Sequence, residues 1–431
     1  MQGQPPQMED RPPTDAYAWF LAAKSRAAAE LPEAGAEAEE AAIFPEALFA
    51  FQRRIVAWAL RRKRAAVFAD TGLGKSRILL AYADQVLAAV PGGSVLVLGP
   101  LCTAVQLTRE ADKMGLKNVQ AARKDPSAEE KAGAIVVANY EIADKFDLEG
   151  YTALILDESS ILKHVETKTC AALTSRAACV PYRLALTATP CPNDFAELLN
   201  QAAFLGIATR DFLLATFFRT LMSGKIVLRA HAADAFVRWL STWSVWVSSP
   251  GDVGFPEEAA QYVLPELSRT YLHVDSQPDT GEKRKAEDPE EEPEAKKKKK
   301  KAGGVVSRAA ARRSTLSDRI AAVVALVNAD PDENWVVWCT LNDESKALAA
   351  AIKGAVELTG TAKLEDKESR LRAFGANADG FRPEARVIVT KPEIAGFGLN
   401  WQFCRKMVFV SVTDSYERIY QVGAYRPLPP C

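Results

Sequence analysis

The sequence predicts an α/β protein with two blocks of parallel sheet carrying helices on both faces. A helical segment and a disordered linker join the blocks. Three observations carry this. Short, continuous apolar runs alternate with segments of helical period, as strands buried on both faces require. The alternation occurs twice, over about 44–205 and 311–431. Between the blocks lies a charge-run segment that cannot bury apolar surface.

Taken in order, residues 1–43 are rich in Pro, Ala and Glu and read as a flexible N-terminal segment with one short helix around Tyr17–Leu21. Residues 47–60 carry apolar side chains three and four apart, which predicts a helix. A first strand, Ala65–Phe68, runs into Ala69-Asp70-Thr71-Gly72-Leu73-Gly74-Lys75-Ser76, and a helix opens at Arg77. Further strands are expected at 94–98, 134–138, 153–157 and 183–187, closing the first domain near Leu205. Residues 206–274 read as a helical connecting segment, with helices at 211–218 and 233–240. The aromatics of the following run, Trp243 to Val247, are expected to pack in a core rather than stack on bases. Residues 275–310 form the charged linker, with basic clusters at 283–285 and 296–301 that resemble a bipartite nuclear-import signal. The second block predicts strands at 335–339, 355–358, 386–390 and 407–411.

Composition narrows the function classes. The chain has 431 residues, 48% hydrophobic and 25% charged, with a formal net charge of −1, so any nucleic-acid contact must come from a local patch. Seven cysteines without a Cys-x-x-Cys pair, beside three histidines, speak against structural zinc and for a reducing compartment. No apolar stretch of transmembrane length and no signal-peptide pattern is present, so the expectation is a soluble intracellular protein without membrane contact.

Two places carry chemistry. In the strand–loop–helix around Lys75, glycines let the backbone close on an anion at a helix N-terminus. Thr71, Gly72, Gly74, Lys75 and Ser76 would cradle phosphates, Lys75 reaching the outer ones and the Ser76 hydroxyl holding Mg²⁺. Ala69 stands where the strict pattern has glycine. Downstream, Asp157-Glu158 ends a strand. Asp157 is the expected metal residue and Glu158 the general base for an attacking water.

Together these runs resemble the motor core of superfamily 2 helicases, specifically the Swi/Snf-like branch, and look most like helicases of tailed bacteriophages. Ala69–Ser76 resembles motif I, Asp157–Ser160 motif II and Thr187-Ala188-Thr189 motif III. Phe51-Gln52 looks like the Q motif, Pro100–Gln106 like motif Ia, and Ile388–Thr390 through Gly396, Gly398 and Asn400 like motif V. The resemblance implies two RecA-like P-loop domains that bind ATP and Mg²⁺ between them and DNA across their top. Duplex is the preferred track and RNA is the alternative. It implies that Gln52 reads adenine, that Gly396 and Gly398 approach phosphate, and that Pro100, Gln106, Thr187, Thr189, Thr390 and Asn400 face nucleic acid. The basic clusters at 283–285 and 296–301 place the protein in a nucleus if the source is eukaryotic, and a phage source would place it in host cytoplasm.

Motif VI departs from the pattern. Tyr420-Gln421 is in place, but the family's two arginines are not, and Arg426, displaced by two residues, is the one candidate finger. Because the residues end at Cys431 soon afterwards, the expectation is a truncated or misread second domain. Without a finger, which is worth about 10³–10⁵ in rate, the alternative function is a nucleotide-binding, DNA-binding module with impaired ATPase.

Overall fold

The structure is a computed structural model that describes residues 46–100, 103–163, 167–263, 267–274, 314–362, 364–375, 384–395, 401 and 403–411. The chain divides into two units, with the boundary between Leu264 and Pro265.

The first unit is built on seven strands: β1 (Arg64–Ala69), β2 (Val95–Gly99), β3 (Val119–Ala121), β4 (Ile135–Asn139), β5 (Ala153–Asp157), β6 (Tyr182–Leu186) and β9 (Ser244–Val247). Their order is β3-β4-β2-β5-β6-β1-β9, and every pairing is parallel. Successive side chains point to opposite faces of a strand, and here both faces are dry. Ala65, Val67, Val97, Ile155 and Leu184 enter one core with α1 (Ala50–Arg62), α2 (Lys75–Ala89) and α3 (Thr103–Lys113). Ala66, Phe68, Leu98, Leu156 and Ala185 enter the other. That second core is covered by α4 (Lys168–Arg176), α5 (Glu197–Leu205), α6 (Arg210–Phe217) and α7 (Ala233–Ser241). At about 1.5–3 kcal/mol for each fully buried large side chain, this double burial explains why the strands read as unbroken apolar runs.

The second unit has a four-stranded sheet of β10 (Trp335–Trp338), β11 (Ala355–Leu358), β12 (Val387–Thr390) and β13 (Lys406–Phe409). The order is β11-β12-β10-β13, again all parallel. Helices α8 (Leu316–Asn328) and α9 (Asn342–Ala351) supply Val323, Val327 and Leu348 to the core with Trp335, Val337 and Val389. On the other face Trp401 packs against Trp338 and against Phe374 of α10 (Leu364–Phe374). The α/β class is therefore as expected, with parallel sheets flanked by helices in both units.

The boundary at Leu205 needs correction. Residues beyond it do not merely connect: β9 pairs with β1 along Ala66–Ala69 and closes one edge of the first sheet. The Trp-rich run is that edge, with Trp243 buried beside Phe68. Between α6 and α7 a small antiparallel hairpin also forms, β7 (Phe218–Thr220) with β8 (Ile226–Leu228). The N-terminal helix expected near Tyr17, the linker 275–310 and both basic clusters lie outside the described residues. No described helix is long and apolar enough to cross a membrane.

Candidate active site

The C-terminal ends of β1, β5 and β6 lie side by side in the sheet, and each delivers part of the site. At the end of β1, the Asp70 amide donates to the Val247 carbonyl at 2.8 Å, so β9 pins the first residue of the loop. The loop then turns through Gly72 (φ 88°) and Gly74 (φ 77°), backbone conformations that favour glycine. At Gly74 a second constraint acts, since a Cβ there would sit 2.3 Å from Gln52 Nε2. Helix α2 starts at Lys75, so the amides of its first turn have no acceptor within the helix and can serve an anion. The Lys75 ammonium lies over the loop, donating to the Ala69 and Asp70 carbonyls at 3.2 and 3.4 Å. Asp70 also takes the Thr71 amide at 2.7 Å. Ser76 is half-buried in the same first turn.

At the end of β5, Asp157 and Glu158 are both buried, 6% and 7% exposed. Burial, then the neighbouring Glu158 charge, pushes the Asp157 carboxyl up to about 7, while the Lys75 ammonium and the Thr103 hydroxyl pull it down. Lys75 and Asp157 thus sense one another across the loop. Glu158 holds φ +54°, a left-handed conformation that costs a non-glycine residue about 1 kcal/mol or more. Its surroundings hold it there. The Thr187 hydroxyl at the end of β6 donates to Glu158 Oε2 at 3.1 Å, and the Thr189 amide donates to Thr187 Oγ1 at 3.1 Å.

Several residues with no motif of their own fix this acidic turn. The Tyr140 hydroxyl donates to the Asp157 carbonyl at 2.7 Å, and burial raises its pKa well above the ordinary phenol value. Gln201 Nε2, fully buried in α5, donates to the Ser159 carbonyl at 2.8 Å. Asn200 Nδ2 reaches the Leu162 and Lys163 carbonyls at 2.8 and 3.1 Å. The sequence held one signal for the last two: adjacent amide side chains inside the apolar run of α5 must find partners.

The structure places Thr71, Gly72, Gly74, Lys75 and Ser76 in the loop and first turn after β1, and Asp157 and Glu158 at the end of β5, where the Lys75 charge acts on Asp157. Gln52 is 1% exposed, and its amide serves the protein: Oε1 accepts from the Phe49 amide at 3.1 Å and Nε2 donates to the Leu73 carbonyl at 3.0 Å. That placement makes it a brace of the phosphate loop rather than a reader of adenine. Thr187 (0% exposed) and Thr189 (6%) are buried, the Thr187 hydroxyl on Glu158 and the Thr189 amide on Thr187 Oγ1, so neither offers a surface to nucleic acid. Thr390 is 0% exposed, and its hydroxyl donates to the Leu358 carbonyl at 3.1 Å, so it too offers no surface to nucleic acid. Pro100 and Gln106 flank the start of α3 and are half-buried. Gly396, Gly398, Asn400 and Arg426 lie outside the described residues.

Among the described residues no group of three or more His, Cys, Asp or Glu gathers to hold a metal. The donor set fits Mg²⁺ nonetheless, because that ion commonly takes one or two protein oxygens and fills its shell with water and substrate phosphates. Asp157 and Ser76 are such donors.

No protein-family model matches the chain, and no curated protein matches it. Among solved structures it is similar to the SWI2/SNF2 ATPase core of Sulfolobus solfataricus in complex with dsDNA. That likeness has 15% identity over 89% of this chain and 87% of the other, with a TM-score of 0.45. It is also similar to a SWI2/SNF2 ATPase core domain of the same organism, with 16% identity, 90% and 86% coverage and a TM-score of 0.43.

Proposed function

We propose that this chain is an ATP-dependent DNA translocase whose first unit binds and hydrolyses ATP. The observation that carries the reading is the bonded chain Glu158–Thr187–Thr189 across the ends of β5 and β6, set beside a glycine loop whose lysine charge acts on Asp157. A metabolite-binding loop has no need of such a relay from its acidic pair. Lys75 and the first amides of α2 hold the outer phosphates. Ser76 and Asp157 would hold Mg²⁺, whose charge would neutralise that of the phosphates. Glu158 takes the proton of the attacking water, and the bond from Thr187 to Oε2 fixes the plane of its carboxylate. Because Thr187 also receives the Thr189 amide, a shift at Glu158 is felt along the segment after β6.

The DNA half of the reading is supported by the ordered motifs, with Pro100 to Gln106 and the segment of Asn400 as backbone contacts. Such contacts are insensitive to base sequence and lose affinity steeply with salt. The test is ATP hydrolysis by the chain with and without duplex DNA, with Lys75→Ala as the blank. Turnover above the blank that rises with duplex supports the motor. ATP binding with turnover equal to the blank overturns it and leaves a nucleotide-gated DNA binder.

A further inference from the structure

Between α6 and α7 the β7–β8 hairpin leaves the body of the first unit. From Arg219 to Lys225 every residue is exposed, and the turn presents Leu221 and Met222 to solvent at 38% and 109%. Gly224, at φ +79°, closes the turn, and the Leu221 amide donates to the Lys225 carbonyl at 2.9 Å. From Phe212 to Ala233 the chain has no acidic residue, yet it carries Arg219, Lys225 and Arg229. In a protein of net charge −1 this is a local cationic arm with an apolar tip.

Two strands alone are marginal in water, and the base of this hairpin is held. Phe217 and Phe218 pack on Phe236 with ring centroids 5.3 and 5.4 Å apart. Aromatic contacts continue through Trp239 and Trp243 to Phe68 in β1, two residues before Asp70 of the phosphate loop. An exposed tip on a rigid root is built for contact.

We propose that this hairpin is a duplex-DNA contact arm, with Arg219, Lys225 and Arg229 on phosphates and Met222 and Leu221 in a groove. A two-stranded ribbon fits the width of the major groove, and apolar tips are used as wedges in the minor groove. The cationic flanks favour a polyanion over an apolar protein partner. The proposal rests on the DNA half of the proposed function.

The test uses the full chain and a fluorescein-labelled duplex of about 30 base pairs, titrated at several salt concentrations. Losing two phosphate contacts in Arg219→Ala/Lys225→Ala should weaken binding about tenfold and flatten the log–log salt slope by about 2. Met222→Asp should weaken binding as well. Thermal melting and binding of a fluorescent ATP analogue should match the parent in both variants, because none of the three side chains is buried. Variants that bind duplex with the parent's affinity and slope overturn the arm while leaving the DNA reading intact. A parent chain that binds no duplex overturns both. Loss of binding to phosphatidylserine vesicles but not to duplex would assign the patch to a lipid surface and overturn the proposal. Weakened duplex binding in variants of a chain whose turnover ignores DNA would keep the arm and remove the motor.

Discussion

Both units bury a carboxylate at the C-terminal side of a parallel sheet, and the two are treated in opposite ways. In the second unit Glu344 is fully buried. Burial alone would raise its pKa, but the Thr340 amide, the Arg319 guanidinium and the Leu341 amide hold it below the usual range. Arg319 donates to Oε1, and the Thr340 and Leu341 amides reach Oε2 at 2.9 and 3.0 Å. In the first unit Asp157 is pushed up to about 7 by burial and by the adjacent Glu158 charge. A satisfied carboxylate holds a fold together, whereas a strained pair is a place for chemistry. The same α/β frame thus spends stability in one unit and gathers it in the other.

The sharpest way to break the comparison is to neutralise each acid or its partner. Glu158→Gln keeps the shape and an acceptor for Thr187 but removes the proposed base, so turnover should fall about 10²–10⁴-fold with the melting temperature unchanged. Single-turnover hydrolysis measures it, and a drop of only a few-fold would take the base role from Glu158. Next comes Arg319→Met, which leaves a buried charge without its cation and should cost the second unit about 3–5 kcal/mol. Urea unfolding followed through Trp335 and Trp338 would read it, with nucleotide binding by the first unit unaffected.

The pH dependence of the two acids should have opposite sign. Because the folded pKa of Glu344 is depressed, its stabilisation is full above the unfolded value of 4.5 and is lost as pH falls through the folded pKa. Asp157 releases its proton near 3.8 when unfolded and near 7 when folded, so its contribution declines as pH rises between those values. Asp157→Asn should therefore raise the melting temperature of the ligand-free protein at pH 8 and do little at pH 4. An unchanged or lower melting temperature at pH 8 would show that the aspartate is not held at a cost.

How much of this was legible follows from where the information sits. Strands β1, β2, β4, β5, β6, β10 and β12 announce themselves because burial on both faces leaves an apolar run, while β11 and β13 are only half-buried but still carry short apolar stretches. By contrast β3 is a three-residue edge strand, half-buried to exposed, with no such run. Strand β9 is legible as core but not as part of the first sheet, because it returns to β1 only after α5, α6, the hairpin and α7. In the site, Lys75, Ser76, Asp157 and Glu158 sit in local patterns that chemistry dictates. Tyr140, Asn200 and Gln201 act by donating to backbone carbonyls of a distant turn, a role with no local spacing. The burial of Thr187, Thr189 and Thr390 depends on which way each strand end faces, which short patterns leave open.

The smallest expected effect tests whether that distant support matters. The Tyr140 hydroxyl stays protonated across the working pH range, since its pKa lies well above the ordinary phenol value. It is therefore a constant donor to the Asp157 carbonyl, one residue before the left-handed Glu158. Tyr140→Phe keeps the ring and strands that carbonyl, a loss of about 1 kcal/mol. If the bond holds the acidic turn in shape, kcat should fall about fivefold, the rate equivalent of that energy, with KM for ATP unchanged. If Tyr140 merely packs, the melting temperature will drop slightly while kcat stays at the parent value, and the turn will have to be held by Gln201, Asn200 and Thr187 alone.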